Sequence, residues 1–582
     1  MSHARLAYLD VLKAVAIIAV VLYHAGILGY GYLGVDVFLV LSGFFVARSF
    51  EGKSYFGFIS GRMLRLLPVL LMAGLVAMTL GWFTMLPDDY ENLGESVVAT
   101  NLFANNILSA ITTGDYWNIA NEYKPLMHTW YVGLLMQFCL VYPLLFYLAK
   151  LDKKTPCRTL LVIICSLSLL SLLVFFTGNN EAHRFYYLPA RFFEFGVGAI
   201  VALVYDSSRE RVFHPAFSYL CYALLLVLLF VGLRIVPDSA RLVIVVALTA
   251  VLVMSGRALE NGVTSNSVLA AVGVASYSIY VWHQVLIAFC RYIFGNQFTF
   301  WSYLLLFVAV GVVSWISYRV IERGVSRALE SGSGRRGVFV ATASLFVLLT
   351  GFAGWVYMNA GVVRDVPELG ISVQDRHRRL NVEYTERGYQ YDRPFLSSDK
   401  PHWLVVGNSF GRDFVNVILE SRIAGEVEVS FAEDVSKSGM DERLAAADLV
   451  FVAFRGFNRR FVNDVEVKCW SAGISPEQVI VVGDKNFGEN NGHVYAKRYR
   501  PDYFEQMVEP LGGEPFLERN RRFREFYGER FLDMMSLVTD GGLVRVFTPA
   551  GRFISADGKH LTAAGASFYA ERIEWGRYLP MQ

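Results

Sequence analysis

A chain of 582 residues that is 54% hydrophobic and 15% aromatic is too apolar for an ordinary soluble enzyme. Its net charge of +2 gives no electrostatic basis for binding nucleic acid. Six cysteines are scattered: Cys139, Cys157, Cys165, Cys221 and Cys290 lie in or beside apolar runs and only Cys469 beyond, which excludes a disulfide framework or a cysteine-based zinc site downstream.

The first apolar run, 11–29, carries Lys13 near one end and His24 near the other. Their spacing is close to three helical turns, so both side chains project from one face, ~16 Å apart along the axis. The run lacks a small-residue cleavage site and is expected to remain as a signal anchor. The second run, 35–48, opens on Gly34-Val35-Asp36 and closes on Leu41-Ser42-Gly43-Phe44. An ionisable group at membrane depth costs ~3 kcal/mol or more unless it faces a partner or a wet cavity. Interfacial anchoring of Lys13 and His24 is the plain alternative, but with Asp36 there are three such groups in one hairpin, which argues for a site.

Further apolar runs follow at 66–86, 127–149, 159–177, 191–205, 217–236, 241–255, 268–293, 301–321 and 338–358, giving eleven expected spans. Arg48, Lys53, Arg62 and Arg65 follow the second, Lys150, Lys153, Lys154 and Arg158 the fourth, and Arg323, Arg327, Arg335 and Arg336 the tenth. The long loop 87–125 is acidic, with Asp88, Asp89, Glu91, Glu95, Asp115 and Glu122 against Lys124. The excess of positive charge on one side predicts a cytoplasmic N-terminus, an outer acidic loop and, after an odd number of spans, an outer C-terminus. Arg62 and Arg65, at i and i+3, share a helix face and suit a forked grip on phosphates; flanking charge is the simpler account.

These stretches resemble the membrane acyltransferase-three family. The resemblance rests on Leu9-Asp10-Val11-Leu12-Lys13, Tyr23-His24, Gly34-Val35-Asp36-Val37-Phe38 and Leu41-Ser42-Gly43-Phe44. It continues in Arg62-Met63-Leu64-Arg65, Arg191 to Gly196, Ser276 to His283, and Ile321-Glu322-Arg323, covering roughly residues 5–325. It implies an integral-membrane enzyme moving an acyl group, usually acetyl from cytoplasmic acetyl-CoA, onto a sugar hydroxyl. His24 maps to the family histidine, Lys13 stands where many members carry arginine, and Arg62 and Arg65 map to the motif assigned to CoA. Asp36, His128 and His283 are further membrane-site candidates. One departure is plain: in the block His128 to Phe138, apolar residues stand where many members carry a glutamate. Arg191 and Glu194 read as a pair that neutralise each other inside the bundle.

Beyond residue 360 the composition becomes that of a soluble domain. Short β-branched runs at 403–406, 427–431, 449–454 and 479–482 alternate with helical stretches, the pattern of a parallel sheet covered on both faces. The first run leads into Gly407-Asn408-Ser409-Phe410-Gly411, a serine on a turn between strand and helix. Asp557 and His560 sit three residues apart near the end of the chain and present a carboxylate and an imidazole together. Gly439 and the stretch Gly456-Phe457-Asn458 follow the second and third runs, where oxyanion donors are wanted. The order resembles the SGNH (GDSL-like) hydrolase family over about 400–575. That implies Ser409 as nucleophile, Asp557 and His560 as acid and base, and, more loosely, Gly439 and Asn458 as oxyanion donors. Asn408 and Arg459 depart from that family's pattern, and Gly-x-Ser-x-Gly also fits an α/β-hydrolase elbow.

The expected fold is a multi-pass helical membrane domain of ten spans plus one, then an α/β domain with a parallel sheet. Boundaries are expected at 1–325 for the acyltransferase domain, 326–360 for a link and the eleventh span, 361–400 for a connector, and 401–582 for the SGNH domain. The two resemblances together imply an O-acyltransferase of a bacterial inner membrane with its C-terminal domain in the periplasm. Acetyl-CoA would be the donor and an envelope glycan such as lipopolysaccharide O-antigen the acceptor. Membrane lipid is the other expected partner, and no metal is expected. A glycan-binding transporter or sensor, or an envelope esterase, are the competing classes.

Overall fold

The computed structural model describes residues 7–50, 53–112, 119–205, 213–256, 267–295, 298–331, 334–396, 399–456 and 458–579. Asp115 of the acidic loop and Phe457 of the Gly456–Asn458 turn lie outside the described residues. The chain divides into two compact units: Met1–Gly81 with Asn92–Trp355, and Trp82–Glu91 with Val356–Gln582.

Every expected span coincides with a helix. Among the described residues, nine helices are long and apolar enough to cross a membrane. A tenth span is the bent pair Ser267–Val274 and Ser276–Phe294, which meet at 69°. The remaining expected span is the shorter apolar helix Pro215–Phe230. The bend is where the apolar run carries Ala275 and its ψ near zero interrupts the helix. Helices Gly34–Phe50 and Leu188–Val204 approach to backbone contact through two glycines. A Cβ on Gly43 would lie 1.9 Å from the Phe195 carbonyl oxygen, and one on Gly198 the same distance from that of Val40. Small residues at such a crossing let polar groups on the two helices meet, as Asp36 and Arg191 do.

The second unit is α/β. Strands β1 (His402–Val406), β2 (Glu428–Ala432), β3 (Leu449–Ala453) and β4 (Val479–Val482) match the four β-branched runs; β5 (Met507–Val508) follows, then β6 (Phe531–Leu532), β7 (Thr539–Asp540) and β8 (Leu543–Arg545). The main sheet is parallel, in order β2-β1-β3-β4-β6, and a small sheet runs β5-β8-β7. One face of the main sheet packs Trp403, Val405, Phe414, Phe451 and Trp575; the other packs Leu404, Val450, Val452, Val465 and Tyr527. The alternation along β1 explains why a strand buried on both faces reads as a continuous apolar run. Because β1 lies between β2 and β3, the chain goes to one side of β1 for β2 and crosses to the other side for β3, and a crevice opens at the C-terminal end of β1.

Two features of this unit depart from the expected boundaries. Residues 361–400 are not an open connector. Val362, Val366 and Ile371 are buried, and Asn416 donates to the carbonyls of Tyr384 and Thr385. Trp82–Glu91, from the end of the third apolar run and the start of the acidic loop, also folds with this unit. Arg364 donates to the Trp82 carbonyl, Arg379 pairs with Glu91, and Asn381 donates to Asp88 at 3.4 Å. Such long-range contacts leave no periodic trace in the sequence.

Burial pushes the Asp88 carboxyl up to about 6; the Asn381 hydrogen bond opposes the rise, while Asp89, Glu91 and Asp557 add to it. Its ordinary value is about 3.9. The folded chain therefore holds this proton more tightly than the unfolded chain, and Asp88 lowers stability progressively as pH rises from about 4 to about 6, then keeps that cost above it. Asp88→Asn is expected to gain roughly 2 kcal/mol over wild type at pH 7.5, and nothing at pH 4. Thermal unfolding of the detergent-solubilised chain at the two pH values reads this difference. A gain equal at both, or absent at pH 7.5, contradicts it.

Candidate functional site

Three buried histidines meet in the membrane unit. His24 ends the first helix, His128 lies just before the helix Trp130–Ala149, and His283 lies within Ser276–Phe294. The His24 and His283 rings are 5.0 Å apart, centre to centre, and those of His128 and His283 are 5.1 Å apart. His24 Nδ1 lies 2.9 Å from Gln284 Oε1. Arg291, seven residues past Gln284, donates to the His24 carbonyl at 3.1 Å and pairs with Glu122 at 2.9 Å. Beside this cluster, Tyr23 touches both His24 and Tyr32 edge-on.

Tyr32 is part of the wall of a cavity of about 190 Å³ also lined by Asp36, Trp130, Phe185, Arg184 and Arg191. At its floor Arg191 donates to Asp36 at 2.6 Å and pairs with Glu194 at 3.1 Å, all three side chains buried. The expected neutralising pair is thus a triad, and Asp36 is tied into it. A buried charge left without its partner is expensive, so this group holds the helices Gly34–Phe50 and Leu188–Val204 in register.

The remaining candidates gather where the first helix begins. Lys13 pairs with Asp10 at 3.2 Å and lies over the Phe45 ring. Arg62 donates to the Phe45 carbonyl and to Ser49, while Arg65 is exposed. Glu322 lies within electrostatic range of Arg65 and Lys13 and accepts from Ser278 at 2.9 Å. Lys13 and His24 therefore stand at opposite ends of one helix.

In the α/β unit, Ser409 is the first residue of the helix Ser409–Leu419. Asn408 caps that helix, its side chain accepting the Phe410 N–H at 3.0 Å. Gly407 makes the turn possible: a Cβ there would lie 1.8 Å from the Ala453 carbonyl oxygen of β3. His560 Nε2 lies 3.1 Å from Ser409 Oγ, and His560 Nδ1 lies 2.7 Å from Asp557 Oδ2. Burial alone would raise the Asp557 carboxyl. The hydrogen bond and charge of His560, with the backbone N–H groups of His560 and Lys559, outweigh it and hold Asp557 well below the usual carboxylate range. This is the geometry by which an imidazole removes a serine proton and a carboxylate steadies the imidazolium.

Asp413 ties the helix of Ser409 to the loop of His560, accepting from Leu561 N–H at 3.1 Å and forming an ion pair with the buried Lys485 at 2.9 Å. Gly439 and Asn458 stand apart from this relay. Gly439 is exposed at the start of Met440–Ala445, and the Asn458 side chain caps its own helix by accepting from Phe461 N–H at 3.2 Å. Among the described residues, no hydrogen bond joins either to Ser409 or His560.

Residues 6–319 match a family described as an acyltransferase domain, acyltransferase-3. The chain belongs to that family. Among acyltransferase-3 proteins it is 30% identical over 322 residues to BcsY of Komagataeibacter xylinus, whose name designates a membrane-bound transacylase; the match covers 54% of this chain and 81% of BcsY. It is 26% identical over 380 residues to the O-acetyltransferase OatA of Staphylococcus aureus, covering 59% of this chain and 61% of OatA. It is 23% identical over 368 residues to YrhL of Bacillus subtilis, named as a peptidoglycan O-acetyltransferase, covering 58% and 57%. The chain thus spans only about three-fifths of the length of OatA and YrhL. No solved structure matches.

With the acyltransferase-3 membership and the apolar helices, the protein is a multi-pass membrane acyltransferase. The helix end that bears the family histidine is also where His128 and His283 converge, so three separate blocks of the resemblance meet in space. Gln284, Arg291 and Asp413 went unread in the sequence, and Glu122 was read only as one acid of the outer loop. Gln284 directly follows the block that ends on His283, and an amide inside an apolar helix was the available signal.

Proposed function

We propose that this acyltransferase-3 protein is an O-acetyltransferase that takes acetyl from cytoplasmic acetyl-CoA and places it on a hydroxyl of a cell-envelope glycan, lipopolysaccharide O-antigen being the first candidate. The observation that carries the reading is the Ser409–His560–Asp557 relay, at 3.1 and 2.7 Å, on the same chain as an acyltransferase-3 unit. Lys13, Arg62 and Arg65 attract the CoA phosphates at one end of the bundle, and His24 serves at the other as base or transient acyl carrier. As carrier, His24 Nε2 attacks the thioester carbonyl, the C–S bond breaks, and CoA leaves as the thiol with the Nδ1 proton while the acyl group stays on Nε2.

The α/β unit, read as an SGNH domain, completes the transfer. Ser409 Oγ attacks the acyl carbonyl as its proton passes to His560 Nε2, and the group that delivered the acyl departs with that proton. The sugar hydroxyl then attacks the Ser409 ester, gives its proton to His560, and releases Ser409 as the free alcohol. The products are an O-acetyl sugar and the regenerated enzyme. Gly439 and Asn458 are the proposed oxyanion donors, and Asp557 holds His560 in the tautomer that accepts the serine proton.

Mass spectrometry of lipopolysaccharide and peptidoglycan, prepared separately from deletion and wild-type cells, tests the reading. A loss of acetyl from one polymer on deletion is expected; a gain would make the α/β unit an esterase, and no change in either would remove the glycan acceptor. The proposed orientation, cytoplasmic N-terminus and periplasmic C-terminus, has its own check. A C-terminal alkaline phosphatase fusion is expected to be active and a green fluorescent fusion dark, whereas the reverse pattern would put Ser409 on the CoA side.

A further inference from the structure

We propose that Gln284 is the positioning residue for His24, fixing which ring nitrogen of that histidine acts as base; the proposal rests on the reading of His24 as the base of the membrane unit. Gln284 Nε2 donates to two backbone carbonyls, of Glu122 at 3.3 Å and of Lys124 at 3.2 Å. Carbonyl oxygens only accept, so these contacts set the amide with its nitrogen toward 122–124 and its oxygen toward His24. Oε1 also only accepts, and at 2.9 Å it takes a hydrogen bond from His24 Nδ1. Nδ1 therefore carries the ring proton, and Nε2 carries the basic lone pair. The other tautomer would set two lone pairs against each other where His24 is 8% and Gln284 1% exposed, a costly arrangement away from water. Arg291, on the same helix face, grips the His24 carbonyl, so ring and backbone are both held from one element.

The two neighbouring histidines are oriented differently. His283 Nδ1 faces the carbonyls of Tyr280 at 2.6 Å and Ile279 at 3.2 Å, and His128 Nε2 faces that of Val281 at 3.2 Å. Their other nitrogens, His283 Nε2 and His128 Nδ1, are buried with no hydrogen-bond partner among the described residues. Backbone carbonyls orient the rings of His283 and His128, whereas that of His24 is oriented by the Gln284 side chain. That makes the tautomer open to substitution.

The test measures acetyl-CoA turnover by membrane vesicles from cells making the full chain. Gln284→Leu is expected to lower kcat by about 10²- to 10⁴-fold, the range a wrong tautomer costs elsewhere, with KM for acetyl-CoA and the amount of protein in the membrane unchanged. Gln284→Glu keeps an acceptor oxygen and is expected to recover at least about a tenth of wild-type kcat by the same argument. Wild-type kcat in Gln284→Leu, or Gln284→Glu no faster than Gln284→Leu, overturns the proposal. If Gln284→Leu does not accumulate, nitrogen NMR of the histidine-labelled wild-type chain reads the tautomer directly, the His24 signal being identified by its loss in His24→Ala. A proton on Nδ1 supports the proposal, and a proton on Nε2 overturns it. Turnover that survives His24→Ala would instead sink the reading of His24 itself, a result distinct from an active Gln284→Leu.

Discussion

Ser409→Ala is expected to bring glycan acetylation below detection while acetyl-CoA is still consumed at the membrane unit. The expected loss in transfer is large, on the order of 10⁴- to 10⁶-fold, because removing the serine of such a relay takes away the nucleophile itself. The reason for expecting the two activities to separate is chemical. CoA is large, anionic and cytoplasmic, and its proposed contacts are Lys13, Arg62 and Arg65, at the far end of the first helix from His24. Ser409 belongs to a different compact unit, and its proposed activators are His560 and Asp557, neither of them among the residues proposed for CoA. Both quantities are measured on the same cells: acetyl on the isolated glycan by mass spectrometry, and radiolabelled acetyl-CoA turnover in vesicles. A Ser409→Ala protein that acetylates its glycan normally would show that the membrane unit finishes the transfer alone and that the α/β unit only binds. Loss of both activities together would mean that no separable first step exists.

The sequence made the helices legible because apolar length is a one-dimensional signal. It made β1 to β4 legible because strands buried on both faces are continuous β-branched runs. The Ser409–Asp557–His560 relay was legible because each part sits beside a local landmark: a glycine turn after a strand, and an acid three residues before a histidine. What stayed hidden is what depends on distant partners. Asp36 reads as one acid in an apolar helix, and only the backbone contact at Gly43 and Gly198 brings it to Arg191. Trp82–Glu91 reads as the end of a span and the start of a loop, and its place in the C-terminal unit comes from Arg364, Arg379 and Asn381, which lie nearly three hundred residues away. The short strands β5 to β8 carry too few residues to show a period. Gly439 and Asn458 were drawn from order along the chain; the Asn458 oxygen caps its own helix, and the amide nitrogen that would donate to an oxyanion takes no part in that cap.

His24→Ala is expected to abolish acyl transfer without loss of the protein from the membrane. The effect on rate follows from position: His24 is the one histidine of the cluster at the end of its helix whose ring is oriented by a side chain, and the resemblance assigns it the family's histidine. A positioned base contributes about 10²- to 10⁴-fold, and a residue that also carries the acyl group contributes more, so transfer should fall below the detection limit of glycan mass spectrometry. The expectation that the protein persists rests on packing. The His24 side chain bonds Gln284, while the end of its helix is also held by Arg291 on the His24 carbonyl and by Tyr303 on that of Ala25 at 3.2 Å. Those backbone contacts survive the substitution. The variant leaves Gln284 Oε1 without its donor, a cost of about 1–3 kcal/mol, which the helical unit tolerates more readily than the loss of the Asp36–Arg191–Glu194 group. Arg191→Ala is therefore the matched control: it strips two buried carboxylates of their counter-charge and is expected to reduce the amount of protein in the membrane, as read by immunoblot. Wild-type acetylation in His24→Ala would remove the histidine from the chemistry. Disappearance of His24→Ala from the membrane, at the level seen for Arg191→Ala, would make its role structural.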